Sequence, residues 1–391
     1  MIAVDLYRTL CLVLSNQLEQ ASLATLDEST WKQLANLAEN QGVAPLLYWR
    51  FKENNIRDHL CIPEEVYYRL KSAYYQTLSR NIVLYQELRR ILYALEEAGI
   101  PAILLKGAAL AVTLYEDIGL RPMGDIDLLI HKKDLTQIFN VMKTLGYQPE
   151  SSRFRLWLMS GVLYEANFDG GVQNTCHVEF HWSLIGGEYS RYYPELDWFW
   201  KHSQMLSTKI ISAKFLDQEP SLLYLSAHLT LKHGMAEAIL LWMHDLYIQL
   251  KTPNLKIDWD EIINQAEKFH WESSMLVAIQ EVCQRFDINL NHLAIRNYKN
   301  IGSSPDHPLI MSKMRPRTHL QSAKDEMKMV NWLGKCIWLV YFIFPPYSYL
   351  KQIYPSKHWN HQFIYTVFYW TRMTKNVFNT LNNTPIKPGK Q

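Results

Sequence analysis

Asp125-Ile126-Asp127 runs directly into the apolar segment Leu128-Leu129-Ile130. Side chains on a strand alternate with period two, so a strand over 126–130 places both carboxylates on one face. Two carboxylates held that close repel each other, and a divalent cation between them relieves the repulsion. Hard oxygen ligands on one strand suit Mg²⁺, which takes one or two carboxylates together with phosphate oxygens. A surface turn with both acids in water is the plainer alternative, and the flanking sequence bears on the choice. Upstream, Ile103-Leu104-Leu105 reads as a second strand, ends in the turn Lys106-Gly107 and opens into a helix over 108–115.

Composition sets bounds. With 391 residues, 48% of them apolar, and a net charge of +2, the chain has the makeup of a folded protein with room for two or three domains. Cys11, Cys61, Cys176, Cys283 and Cys336 are scattered, odd in number and without C-x-x-C spacing. That excludes a disulfide framework or a zinc cluster and fits a reducing compartment. No charged n-region precedes an apolar stretch at the N-terminus, so no signal peptide is read. The longest uncharged apolar run, 336–344, is far short of the roughly 20 residues a spanning helix needs. The expected location is the cytoplasm. Charge is uneven: 311–391 carries +10, leaving −8 on the first 310 residues. A basic C-terminal part can meet RNA, anionic lipid or a polyphosphate, or simply form a solvated face.

In chain order, 1–100 reads as an N-terminal helical region. Its last helix starts at Pro63-Glu64-Glu65 and stops at Gly99 and Pro101. A core follows over 101–215. Within it, 133–145 reads as a helix, and His177-Val178-Glu179-Phe180-His181-Trp182 alternates strictly. That strand turns His177, Glu179 and His181 to one face and Val178, Phe180 and Trp182 to the other. Helices return over 216–300, with His228, Lys232 and His233 about one turn apart. These three either face a ligand or tie helix to sheet. The stretch 301–380 is basic and aromatic-rich. It reads as packed helices broken at Pro345-Pro346, with contact to a membrane surface or stacked bases through 311–375 as the alternative. A polar tail over 381–391 is expected to be disordered.

A strand, a glycine turn, a helix, a strand opening on Asp-x-Asp and a later strand with a third acid resemble the DNA polymerase β-type nucleotidyltransferase superfamily. The closer resemblance is to an uncharacterised bacterial nucleotidyltransferase family. Its marks here are Lys106-Gly107, Arg121 before Asp125-Ile126-Asp127, Glu179-Phe180-His181-Trp182, and downstream His228, Lys232-His233, Trp242 and Asp245-Leu246. The resemblance implies an α+β fold, with a small mixed β-sheet core wrapped by N-terminal and C-terminal helical regions. It implies catalysis by Asp125, Asp127 and Glu179, which would bind two Mg²⁺ ions. Glu179 would hold the ion that activates the acceptor hydroxyl and could take its proton. Lys106, Gly107, Arg121, His181 and Lys232 would serve the nucleotide, with Lys106 and Arg121 on the β- and γ-phosphates. His177, Glu179 and His181 form an alternative metal set.

The implied reaction moves a nucleoside monophosphate, AMP by expectation, from an NTP to a hydroxyl or phosphate acceptor and releases pyrophosphate. The acceptor is a small molecule, a peptide or protein, or RNA. Two departures stand out: Ala108 follows Gly107 where the superfamily has Ser or Gly, and Asp125 stands 18 positions after Gly107. They leave open a non-catalytic, nucleotide-binding regulatory module or toxin–antitoxin component with the same fold.

Overall fold

A computed structural model describes residues 5–56, 62–151, 161–171, 176–251, 257–289 and 304–343, with isolated residues at 156, 159 and 302 and between 365 and 374. Three helices come first: α1 (Leu6–Leu14), α2 (Glu28–Asn40) and α3 (Ala44–Glu53). Asp5 and Asp27 cap the first two by accepting from the amides of Arg8 and Thr30, which satisfies donors the helix itself leaves free. Helix α4 (Glu64–Glu97) starts after Pro63 with two acids in its first turn and ends at Gly99, whose φ of +67° favours glycine. At 34 residues it is about 50 Å long. Its N-terminal half gives Val66, Leu70 and Tyr74 to one hydrophobic core, and its C-terminal half gives Leu84, Leu88, Ile91 and Leu95 to another.

Between those two cores stands one seven-stranded mixed sheet. Its strands are β1 (Ala102–Leu104), β2 (Ile126–Ile130), β3 (Gln148–Pro149), β4 (Glu165–Gly170), β5 (Cys176–His181), β6 (Ser203–Ser207) and β7 (Ser212–Leu216). Their order is β3-β4-β5-β2-β1-β7-β6. The β2–β5 and β1–β7 pairs are parallel and the other four antiparallel. Helices α5 (Lys106–Thr113), α6 (Leu135–Thr144) and α7 (Leu196–Lys201) connect the strands. Ile126, Leu128, Ile130, Ala166, Phe168, Val178 and Phe180 fill the core on one face, each at most 2% exposed. Leu129 and Ile103 reach the core on the opposite face, which is otherwise polar along β2, β4 and β5.

That opposite core is completed by α8 (Gln218–Ala227), a π-turn over His228–His233, α9 (Leu240–Lys251), α10 (Trp259–Phe269), α11 (Glu272–Phe286) and α12 (His307–Ser312). Thus the first helices of the chain pack with 216–286, and the sheet is wrapped from both ends of the sequence. Helices α13 (His319–Met329) and α14 (Trp332–Ile343) follow. The basic stretch is not merely peripheral. Lys313 donates to the Leu231 carbonyl, and Arg317 donates to the His233 carbonyl at 3.0 Å, holding the end of the π-turn. Pro345-Pro346 and the tail over 381–391 lie outside the described residues. No helix among the described residues is long and apolar enough to cross a membrane.

Candidate active site

Strand register builds the site. Asp127 on β2 is directly opposite Glu179 on β5, and Glu179 is opposite Asn167 on β4. One row on, Leu129, His181 and Glu165 align, and Asp169 pairs with His177 at the other end. Period-two alternation therefore gathers Asp125, Asp127, His177, Glu179, His181, Glu165, Asn167 and Asp169 on one face. Helix α4 fixes the loop that delivers Asp125. Buried Asn81 donates to the carbonyls of Ile118 and Arg121, and Arg80 donates to those of Met123 and Gly124 at 3.0 and 3.2 Å.

Asp127, 1% exposed, is the centre. Its Oδ1 accepts from Lys106 Nζ at 2.5 Å and pairs with His181 Nε2 at 2.8 Å. Glu179 lies 3.8 Å from Lys106 Nζ, 3.3 Å from His181 Nε2 and 3.5 Å from His177 Nε2. Burial pushes the Asp127 carboxyl up, but Lys106 and His181 outweigh it and hold the group below its usual range. Burial also opposes ionisation of Glu179, and His177 and His181 overcome it, leaving Glu179 far below the carboxylate range. Asp125 goes the other way: burial and the charge of Asp127 raise it to about 6. His177 rises to about 9, chiefly through Glu179 and then Asp169. Burial and Lys106 disfavour a charge on His181, yet Asp127 and Glu179 raise it above the usual imidazole value.

Lys106 reaches the carboxylates from a left-handed backbone, φ +41°, as the first residue of α5. Such a conformation costs a non-glycine residue on the order of 1–3 kcal/mol and persists where surrounding contacts impose it. No side chain caps the N-terminus of α5, so its first amides have no side-chain acceptor and carry the positive end of the helix dipole.

The remaining expected residues divide. Lys232, at the end of the π-turn, bonds the Tyr164 hydroxyl and lies 3.3 Å from Glu165, which in turn lies 3.5 Å from His181 Nδ1. Lys232 therefore joins the site through Glu165. Arg121 does not join it, and its expected place on the phosphates is corrected. The guanidinium is buried and forks onto Asp245 of α9, Nε to Oδ1 at 3.0 Å and Nη2 to Oδ2 at 2.7 Å. Tyr115 adds a third bond to that carboxylate at 2.7 Å. Gly107 serves this pair: a Cβ there would stand 2.5 Å from Arg121 Nη1. Ala108 faces the second core, under the Tyr85 hydroxyl that bonds its carbonyl at 2.7 Å.

Sequence reasoning missed Glu165, Tyr164 and Tyr224. The alternation Glu165-Ala166-Asn167-Phe168-Asp169 carried the signal for Glu165. Tyr224 is 1% exposed, its hydroxyl has no hydrogen-bond partner among the described residues, and its strongest electrostatic neighbours are Lys106 and Asp127.

Ligand atoms of Asp127, Glu179 and His181 lie within 4.8 Å of one another, the spacing of a metal-binding group. Asp125 is not in that set and stands at the edge of the face. Both bonds to Asp127 fall on Oδ1, so Oδ2 is available to a cation. The residues fit a hard divalent ion.

The model of a family of uncharacterised nucleotidyltransferases matches residues 27–286, two thirds of the chain. The chain belongs to that family. As a member of the uncharacterised nucleotidyltransferase family it is a transferase of the nucleotidyl class. No curated protein matches it. Among solved structures it is similar to the antibiotic-resistance factor ANT(2'')-Ia, with TM-score 0.28 and 13% identity over 54% of this chain and 95% of the other. An antigenic nucleotidyltransferase-like protein from Paracoccidioides brasiliensis has TM-score 0.35 and 12% identity over 55% and 96%.

Proposed function

We propose that this nucleotidyltransferase moves a nucleoside monophosphate, AMP from ATP in the first instance, to a hydroxyl or phosphate acceptor and releases pyrophosphate. The observation that carries the reading is the register pair Asp127–Glu179, held on one rigid sheet with Asp125 at its edge. Asp125, Asp127 and Glu179 would hold Mg²⁺, two ions by family resemblance. Bound there, the metal would neutralise the phosphates and the charge that builds on the attacking and leaving oxygens.

The chain's own residues supply the rest. The uncapped start of α5 offers amides to phosphate oxygens, and Lys106 offers an ammonium whose proton Asp127 holds firmly in place. An acceptor oxygen attacks the α-phosphorus, the new P–O bond forms, and the bond to the pyrophosphate oxygen breaks. Glu179 would take the proton the acceptor loses. His177 and His181, both raised, keep Glu179 and Asp127 charged and oriented.

The test is incubation with each labelled NTP, Mg²⁺ and a panel of hydroxyl and phosphate acceptors. Transfer of label with release of pyrophosphate is expected. Absence of NTP binding and of pyrophosphate release with all four nucleotides overturns the reading.

A further inference from the structure

We propose that the half-buried rings of His228, His233 and Trp242 form the subsite that receives the nucleobase of the donor, an inference that rests on the reading above. Five residues of an ordinary α-helix turn through about 500°, which would leave positions 228 and 233 well apart around the axis. The π-turn over His228–His233 closes that angle. Its two imidazoles meet edge to face, with centroids 4.6 Å apart and planes at 69°. Trp242 arrives from α9 and lies against His233 at 4.5 Å and 36°, and Tyr224 closes the other side at 5.9 Å from His228.

Three features set this cluster apart from packing. His228, His233 and Trp242 are partly exposed, whereas the alternating neighbours Leu229 and Leu231 are at most 1% exposed and supply the core contacts of the same turn. No ring nitrogen of His228 or His233 makes a hydrogen bond to the described residues, so these atoms are available to the polar edge of a ligand. The cluster also adjoins the cationic side of the site. Lys106 and Lys232 both act on His228 and His233, and with burial they keep both imidazoles neutral. A neutral aromatic wall next to two ammonium groups and a carboxylate cluster matches a planar heteroaromatic ring joined to a polyphosphate. Stacking of that kind accepts any base, because each has a π-face. Lys313 and Arg317, bonded to the carbonyls of Leu231 and His233, hold the wall in position.

The experiment compares wild type with Trp242→Ala, His233→Ala and Trp242→Phe, titrating Mg-ATP and, separately, inorganic tripolyphosphate by calorimetry. Trp242→Ala is expected to weaken ATP by roughly ten- to a hundredfold, with His233→Ala affected in the same direction. Tripolyphosphate binding stays unchanged, and Trp242→Phe recovers most of the loss. Wild-type ATP affinity in both alanine variants overturns the assignment. So does an equal loss of ATP and tripolyphosphate that Trp242→Phe does not repair, since that marks a structural role. An unchanged ATP affinity with a raised KM for an acceptor gives the rings to the acceptor and likewise overturns it. If wild type binds neither ATP nor tripolyphosphate, the proposed function fails first.

Discussion

Arg121 and Asp245 are 124 residues apart in sequence and meet in a buried, two-bonded ion pair that ties the loop before Asp125 to helix α9. Removing one partner leaves the other charge buried and alone, a loss of roughly 3–5 kcal/mol. Asp245→Asn and Arg121→Met should each lower the urea midpoint by a corresponding amount. The double variant Arg121→Met/Asp245→Leu should regain a substantial part. A single variant with unchanged stability contradicts the structural assignment.

Gly107→Ala tests the same pair from the other side. The new methyl would meet Arg121 Nη1, which cannot withdraw without breaking its bonds to Asp245. Destabilisation of about 1–3 kcal/mol is expected. In an Asp245→Asn background the added cost should shrink, because the guanidinium is then free to move.

His244 sets an acid limit on the fold. It is 1% exposed, lies 3.2 Å from the Tyr115 hydroxyl, and burial depresses it to about 3. The unfolded chain takes up this proton near pH 6.5 while the folded chain resists until about 3. Stability contributed above the unfolded value is therefore lost as pH falls through that window, roughly 2 kcal/mol between pH 7 and pH 5. His244→Phe should flatten that part of the stability–pH curve, measured by denaturant titration at each pH. An unchanged slope contradicts the assignment.

Lys106 and a divalent ion compete to neutralise Asp127 and Glu179. Lys106→Met should destabilise the metal-free protein by roughly 3–5 kcal/mol and make the melting temperature depend more strongly on Mg²⁺. Equal Mg²⁺ shifts in variant and wild type would place the ion elsewhere.

Much of this site was legible because strand periodicity is local. Asp125-Ile126-Asp127 and the alternation through Glu179 each fix a face without reference to the rest of the chain, and the structure puts those faces together. Both ends of α4 were readable from Pro63 and Gly99 for the same reason. What local pattern could not show was pairing at a distance. Arg121 beside an acidic strand looks like a phosphate ligand until Asp245 is brought to it. Strand β6 escaped notice because it lies at the sheet edge. There Met205 and Leu206, on opposite faces, are both exposed and leave no alternation to read. The π-turn read as plain helix because it continues α8 without a break, while the change in winding shows in how the rings of His228 and His233 meet.

The most direct test of the central claim is pyrophosphate release from Mg-NTP by Asp127→Asn. This substitution keeps the shape of the side chain and removes the charge shared by Lys106 and His181. If Asp127 anchors the metal and the phosphates, release should fall on the order of a thousandfold, as expected from losing several kcal/mol of charge stabilisation, while the melting temperature in excess Mg²⁺ no longer rises. Release at wild-type rate from a folded Asp127→Asn protein would contradict the account.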